Sequence, residues 1–206
     1  MKIIIFAIAG FLLPGPGNNS PQNAVSTDSN YIFNFKKSKE MDTQESFTTT
    51  ILVNKTAAEA FDATINFRAW WSEDIEGATD KLGETFFYHH KELHLCKIKL
   101  KEMIAGKKLV YLVVANEFSF IEDKTEWVDT KLVFDFSSEN GQTKVKFTHE
   151  GLVPQDQCYN VCHDAWTGFI QKSLKNLINT GKGEPNPKDG TNDINAENIR
   201  KWNIKH

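Results

Sequence analysis

The apolar residues near the C-terminal end of this chain recur at the spacing of a helix surface. Between residues 156 and 179 they stand one, three or four positions apart. The members of this stripe are Cys158, Val161, Cys162, Ala165, Trp166, Phe169, Ile170, Leu174, Leu177 and Ile178. A helix over that range is about 36 Å long and has a single apolar face, so it must lie across another layer of structure.

The preceding part of the chain alternates with the period of two that is typical of strands. Cys96, Ile98 and Leu100 alternate with lysines at positions 97, 99 and 101, and Asn140-Gly141 is typical of a tight hairpin. We predict strands at residues 47–53, 83–90, 93–103, 109–115, 128–136 and 143–150. This pattern indicates an antiparallel meander with one face exposed to water.

A short helix and a tryptophan pair follow the first strand. Thr56 and Glu59 have the spacing of a capping box, which predicts a helix over residues 57–65. We interpret residues 73–82 as a polar loop. Neighbouring side chains in extended backbone point in opposite directions, so of Trp70 and Trp71 we expect one to face the core or a cavity mouth and the other to face solvent.

The charge balance argues against one class of partner. The formal net charge is −3, and a mildly acidic protein lacks the positive surface that nucleic acid requires. Because of this charge, we expect no nucleic-acid partner. The aromatic content has a different implication: aromatic residues make up 12% of the chain, which suits a large core or an apolar cavity.

The two ends of the chain differ in composition from the middle. Residues 1–44 are predicted to be a disordered extension, and residues 184–206 a flexible tail. Residues 3–13 form an apolar run too short for a stable membrane span, which indicates either an export signal or an over-long start ahead of Met41. Three cysteines, an odd number, favour reduced thiols and a cytoplasmic location, with export as the alternative if the run is a genuine signal.

Several short segments carry a resemblance to a known family. They are AEAFDA at 58–63, the tryptophan pair, GETF at 83–86, KLVY at 108–111, HEGL at 149–152 and GKG at 181–183. With the order of elements, they make residues 45–183 resemble the SRPBCC (START-like, helix-grip) superfamily. Within it, the chain looks most like proteins related to the C-terminal domain of the heat-shock-protein-90 ATPase activator.

The resemblance implies an α+β fold in which a curved antiparallel sheet wraps around a long C-terminal helix, with two short helices after the first strand. It also implies an apolar cavity between helix and sheet, where many members hold lipids, steroids or aromatic metabolites, while a few are cyclases. The activator itself stimulates a chaperone ATPase. The residues before position 45 are too few for its separate N-terminal domain, so chaperone stimulation is the weaker expectation.

The expected function is binding of a small apolar or aromatic molecule in that cavity, with no catalysis assigned. The candidate ligand-binding residues are Trp70, Trp71, Phe86, Tyr88, Tyr111, Phe134, His149, Trp166 and Phe169. One alternative is a chaperone-type interaction module that uses the outer face of the sheet. The other is a cyclase or hydrolase in which His149 acts as acid or base, although a histidine on an apolar strand face is usually a core residue.

Other reactive side chains favour structural interpretations. His89, His90 and His94 could meet His149 or Cys96, but their spacing matches no metal signature, so no metal and no cofactor are predicted. The sequence Cys158-x-x-x-Cys162-His163 departs from redox and zinc patterns, and both thiols lie on the apolar stripe. The row of lysines at 97, 99 and 101 is interpreted as the hydrated side of a strand.

Overall fold

The computed structural model describes residues 45–188. Seven strands form one antiparallel sheet: β1 (Phe47–Val53), β2 (Ile75–Gly77), β3 (Thr85–His90), β4 (His94–Ile104), β5 (Lys108–Phe118), β6 (Lys131–Glu139) and β7 (Gln142–Glu150). Their order across the sheet is β1-β7-β6-β5-β4-β3-β2, so the later strands form a meander and β1 adds to its far edge. The predicted extension at residues 1–44 and the tail from residue 189 onward lie outside the described residues.

The final helix comprises residues 159–180 and has three parts. These are α2 (Tyr159–Gly168), a π-helical turn (Phe169–Leu174) and α3 (Lys175–Thr180). Its buried side chains are Cys162, Trp166, Phe169, Ile170, Ser173, Leu174 and Ile178. This confirms the predicted helix-grip α+β fold, in which one face of the helix packs into the concave face of the sheet.

Local signals explain several element boundaries. The Glu59 N–H donates to Thr56 Oγ1 at 3.2 Å, and the Thr56 N–H donates to Glu59 Oε2 at 2.9 Å, so the capping box is present. It begins the first helix, α1 (Ala57–Ile65), which a 3₁₀ turn (Phe67–Ala69) follows. The prediction of two short helices after β1 is therefore confirmed.

The hairpin between β6 and β7 turns at the predicted dipeptide. Asn140 and Gly141 have φ values of 51° and 81°, the left-handed geometry that a two-residue hairpin turn requires. On β4, register shifts between Lys97 and Ile98 and between Leu100 and Glu102 interrupt the pairing with β5. Bulges of this kind bend a sheet, which helps it curve around the helix.

Two sequence-based assignments are wrong. Residues 73–82 are not wholly a loop, because β2 (Ile75–Gly77) pairs with β3. The strand predicted over 128–136 begins only at Lys131, because Asp129 has a φ of 67° and turns the chain before it.

Beyond the final helix, the chain runs back to the tryptophan pair, and flexibility of the tail from residue 184 onward stays a prediction. The Asn186 N–H donates to the Trp71 carbonyl at 2.9 Å, and the Glu73 N–H donates to the Asn186 carbonyl at 2.9 Å. Residues 182–188, which we call the strap, therefore lie beside the tryptophan pair. A Cβ on Gly183 would collide with the Ala69 carbonyl oxygen, so only glycine allows this close approach.

The π-helical turn contributes to the same contact. Ser173 is fully buried, and its hydroxyl donates to the Trp70 carbonyl at 2.6 Å. Ser173 Oγ also accepts a hydrogen bond from the Glu184 N–H, at 2.7 Å. One side chain of the π turn thus ties the helix both to the tryptophan pair and to the strap.

None of the helices within residues 45–188 has the length and the apolar character of a membrane span.

Candidate functional site

Both tryptophans of the pair are buried, which corrects the expectation that one would face solvent. Trp70 exposes 0% of its surface and Trp71 2%. The pair does not lie in extended backbone, because the Trp70 and Trp71 N–H groups both donate to the Phe67 carbonyl, at 3.3 Å and 2.8 Å, and so form a helical turn. Trp70 packs against Phe134, whereas Trp71 stacks on Tyr88 with ring centroids 4.1 Å apart.

The concave face holds one continuous group of rings, which we call the aromatic interior. Its members are Phe67, Trp70, Trp71, Phe86, Tyr88, Tyr111, Trp127, Phe134, Phe147, His149, Trp166 and Phe169. It contains all nine predicted ligand-binding residues, and each of those exposes 2% of its surface or less. Whether any of them binds a ligand stays a prediction.

His149 lies on β7 and faces this interior, with a hydrogen bond at each ring nitrogen. The Trp166 indole N–H donates to Nδ1 at 3.0 Å, so Nδ1 must be the acceptor. The proton of the neutral ring is therefore on Nε2, which donates to Thr130 Oγ1 at 2.9 Å. The Thr130 hydroxyl in turn donates to the Trp127 carbonyl at 2.6 Å.

This chain of hydrogen bonds has a consequence for proton transfer. Burial, with a smaller contribution from nearby His94, lowers the pKa of His149 from 6.5 to about 3. A proton added at Nδ1 would face the indole N–H of Trp166, so the charged ring would also lose a hydrogen bond. The arrangement favours a neutral imidazole that holds Trp166 and Thr130 in place.

Trp127 is the central residue that sequence reasoning missed. It lies between β5 and β6 on residues 119–130, which we call the Trp127 loop, and it stacks on Trp166 at 5.8 Å and 14°. Its ring meets His149 edge-on at 4.5 Å and His94 at 4.7 Å. The stretch around it is polar and lacks any periodicity, so only its size and apolar character could have suggested burial.

A second buried histidine, His94, also contacts the Trp127 ring. The Asn116 amide N–H donates to the Lys124 carbonyl at 2.9 Å, which turns Asn116 Oδ1 towards His94. His94 Nε2 donates to that oxygen at 2.6 Å. Burial lowers the pKa of His94 to about 3, although the Asn116 hydrogen bond opposes the shift. Trp127 thus contacts two neutral imidazoles, each edge-on.

The Trp127 loop is attached to the start of the final helix. The Glu122 N–H donates to Gln157 Oε1 at 2.9 Å, and the Cys158 N–H donates to Glu126 Oε2 at 2.8 Å. Glu126 therefore satisfies backbone donors that the first turn of a helix leaves unpaired. The Trp127 indole N–H also donates to Cys158 Sγ, at 3.2 Å.

The two thiols of the apolar stripe are buried in the core. Cys158 and Cys162 expose 0% and 5% of their surfaces, as expected for thiols on an apolar stripe. Burial strongly raises the pKa of Cys158, so its thiol is a poor nucleophile. Within residues 45–188, no group of three or more His, Cys, Asp or Glu side chains is placed to hold a metal ion.

These features define a class: a helix-grip α+β domain with a closed aromatic interior. A family model described as "Activator of Hsp90 ATPase homolog 1-like protein" matches residues 56–179, more than half of the chain. The chain therefore belongs to that family, and the resemblance seen in the sequence is confirmed. No curated protein gives a significant sequence match.

Solved structures agree with this fold. One is the Aha1 dimer from Colwellia psychrerythraea, with a TM-score of 0.55 and 21% identity over 67% of this chain and 98% of that chain. Another is protein MLL2253 from Mesorhizobium loti, with a TM-score of 0.53 and 13% identity over 65% of this chain and 96% of that one.

A third similar structure is DynU16, a protein of the dynemicin biosynthetic locus. It has a TM-score of 0.51 and 11% identity, and the match covers 68% of this chain but only 49% of DynU16. The chain thus spans about half the length of that relative. At such identities the likeness concerns the fold alone.

Proposed function

We propose that this protein binds a small apolar or aromatic molecule between the final helix and the sheet. The observation that carries the proposal is the placement of Trp127. It is a large ring that belongs to a loop, yet it stacks on Trp166 in the middle of the aromatic interior. A flat molecule that took its place would gain the same burial, worth roughly 25 cal/mol per Å² of apolar area.

Entry of a ligand requires the Trp127 loop to move, because the rings of the interior contact one another directly. The bonds from Gln157 and Cys158 to this loop lie at its exposed or half-buried edge, where water can replace them. Displacing Trp127 frees Cys158 Sγ as an acceptor and one face of Trp166. A planar molecule with an N–H or O–H donor fits that vacated position, and His149, whose ring lies 4.5 Å from that of Trp127, is the polar side chain beside it.

The proposal is tested by native mass spectrometry of the full chain, purified without denaturation and compared with the same chain refolded from urea. We expect an extra mass of a small molecule that disappears on refolding and returns after incubation with a cell extract. If none of these samples carries an added mass, the proposal is contradicted.

A pair of variants then locates the bound molecule. Trp71→Leu changes the wall of the interior, whereas Phe87→Ser changes an exposed ring on the opposite face of the sheet. Loss of the added mass in the first variant and its retention in the second supports binding in the interior. The reverse pattern points to the outer face.

Family membership favours a second candidate, a protein-interaction module of the chaperone-cofactor type. The family is named after an activator of the Hsp90 ATPase, and the similar structure from Colwellia psychrerythraea is an Aha1 dimer. Purified Hsp90 should then bind the full chain in a calorimetric titration, with or without a ligand in the interior. An undetectable heat of binding at high concentration removes this candidate.

An enzymatic role for His149 has less support. Both of its nitrogens are engaged and the ring is neutral, so proton transfer would first require the loss of the bond to Trp166 or Thr130. His149→Gln keeps a donor and an acceptor in similar places. If any substrate of this protein is found, unchanged turnover by that variant would exclude acid–base catalysis by His149.

A further inference from the structure

The convex face of the sheet carries an open groove of about 310 Å³. It runs over β3, β4 and β5, and the side chains on its convex side are Phe87, His89, Leu95, Lys97, Ala115 and Glu117. Phe87 and Leu95 leave 43% and 39% of their surfaces exposed, which is unusual for large apolar side chains so close together. The groove lies on the opposite side of the sheet from the aromatic interior.

The strand register fixes how these side chains are arranged. Lys97 pairs with Phe87 on one side and with Ala115 on the other, so these three residues form one row across the groove. The next row towards the β3–β4 hairpin contains Leu95 and Glu117. The row nearer the β3–β4 hairpin therefore contains an acid, Glu117, and the row beyond it contains a lysine, Lys97.

Beyond Lys97, away from the β3–β4 hairpin, the positive charge continues along β4. Lys97, Lys99 and Lys101 alternate with the buried Ile98 and Leu100 and so lie on the convex face. Lys97 Nζ lies 5.2 Å above the centre of the Phe87 ring, a cation–π contact. In the part of the chain that the structure describes, Lys99 and Lys101 have no acidic side chain within ion-pair distance.

Two lysines elsewhere on the convex face are ion-paired. Lys131 pairs with Glu150 at 3.2 Å, and Lys144 pairs with Glu139 at 2.7 Å. Lys99 and Lys101 differ from these two lysines, because their charge is left for a group outside residues 45–188. A groove with apolar side chains at one end and unneutralised lysines at the other is complementary to an acidic peptide with an apolar anchor.

We propose that this groove and the β4 lysines bind an extended, acidic protein segment that inserts one apolar side chain between Phe87, Leu95 and Ala115. The proposal rests on the second candidate function, the protein-interaction module. It adds where on the sheet the partner binds and what chemistry the partner must have. It does not depend on the partner being a chaperone.

The spacing of the lysines predicts the sequence of that segment. Alternate residues on a strand are about 6.8 Å apart, so an extended peptide along β4 matches it two residues at a time. With its anchor in the groove, acidic residues two and four positions further on reach Lys99 and Lys101. Glu117 repels acidic side chains on the other side of the anchor, which sets the direction of the segment.

A peptide is favoured over an anionic membrane by the shape of the surface. Apolar side chains that enter a bilayer protrude, whereas Phe87 and Leu95 line a depression that can receive a side chain. A second copy of the chain is not favoured either, because a groove of this size accepts one or two side chains and a stable dimer needs about 800 Å² from each partner.

The test is fluorescence anisotropy with the full-length protein and a labelled peptide in which Leu is followed by Glu at the second and fourth positions. We expect saturable binding that weakens with salt. A peptide with both Glu residues before the Leu, and one with Lys in place of Glu, should each bind at least tenfold more weakly.

Variants on the exposed face identify the surface without disturbing the core. Lys99→Glu and Leu95→Ser should each weaken binding at least tenfold, whereas Lys172→Glu, at an exposed position of the final helix, should not. Lys99→Glu should regain affinity for the Lys-containing peptide. That charge reversal separates direct pairing from a general loss of folding.

Three results would overturn the proposal. The first is peptide binding that is indifferent to Leu95→Ser and to Lys99→Glu. The second is binding to vesicles that contain phosphatidylserine without binding to any peptide. The third is concentration-dependent self-association that Leu95→Ser abolishes, which assigns the groove to a second copy. Peptide binding without Hsp90 binding would keep the groove and remove only the chaperone as its partner.

Discussion

The two faces of the sheet use the same alternating strands for opposite purposes. The concave face holds a continuous group of rings in which His149 is hydrogen-bonded at both nitrogens. The convex face has exposed apolar side chains, an open groove and two lysines, Lys99 and Lys101, that no acid within residues 45–188 neutralises. The first arrangement stabilises the fold, whereas the second leaves interaction energy available for a partner.

The largest difference between the faces should appear when one ring is removed from each. Trp166→Ala should lower the free energy of unfolding by about 3–5 kcal/mol, because it leaves a cavity among Trp71, Trp127 and Phe147. Phe87→Ala, on the convex face, should change it by less than about 1 kcal/mol. Urea unfolding followed by circular dichroism measures both, and equal losses would contradict the comparison.

Acidification should destabilise the concave face specifically. His94 and His149 have pKa values of about 3 in the folded protein, compared with 6.5 in an unfolded chain. The unfolded chain takes up both protons first, so the stability is fully present above pH 6.5 and decreases as the pH falls towards 3. At about pH 5 the loss is about 2 kcal/mol for each histidine.

Two variants separate this effect from general acid unfolding. His149→Gln should reduce the slope of stability against pH below 6.5 by about half. Leu95→Ser, which changes an exposed side chain at the convex groove, should leave the slope unchanged. Urea midpoints at about pH 7 and pH 5 give the comparison, and a slope that neither variant alters would show that the buried histidines are not its cause.

The strap provides a third, smaller contrast. Gly183→Ala should cost about 1–3 kcal/mol, because the added methyl group meets the Ala69 carbonyl behind the tryptophan pair. Gly181 has a φ of 79° and open space around it, so Gly181→Ala should cost about 1 kcal/mol, from backbone strain alone. Thermal unfolding of the two variants decides whether the strap is packed as tightly as the structure shows.

The smallest effect should come from the paired lysines of the convex face. Lys131 and Glu150 form an ion pair at 3.2 Å with about half of each side chain exposed. A double-mutant cycle with alanine at both positions should give a coupling energy below about 1 kcal/mol, and salt should reduce it. A coupling of several kcal/mol would mean that this face contributes to the fold as the concave face does.

Periodicity made most of the fold predictable. The period of two on β4 and β7 placed Cys96 and His149 on the buried face, and the stripe of the final helix placed Trp166 against the sheet. The capping box at Thr56 and the turn at Asn140-Gly141 are local signals, because each is satisfied by atoms only a few residues away.

The parts that sequence reasoning missed depend on distant contacts. Trp127 is buried through Trp166 and Cys158, which are far away in the chain, and its own neighbours are polar. β2 is too short to show a period and exists because it pairs with β3. The burial of both Trp70 and Trp71 follows from the 3₁₀ turn before them, whereas the prediction assumed extended backbone.

The π-helical turn sets where the last helix tolerates a change in its number of residues. A π-helical turn contains one residue more than the α-helical winding that spans the same rotation. Deleting one residue from this turn, for example Gln171, should therefore restore regular α-helical winding and leave Ile178 facing the sheet. The same deletion in α2 should rotate everything after it by about 100°, so that Ile178 swings away from the sheet and the strap no longer meets Trp71. Single-residue deletions in this helix should therefore be tolerated between Phe169 and Leu174 but not between Tyr159 and Gly168.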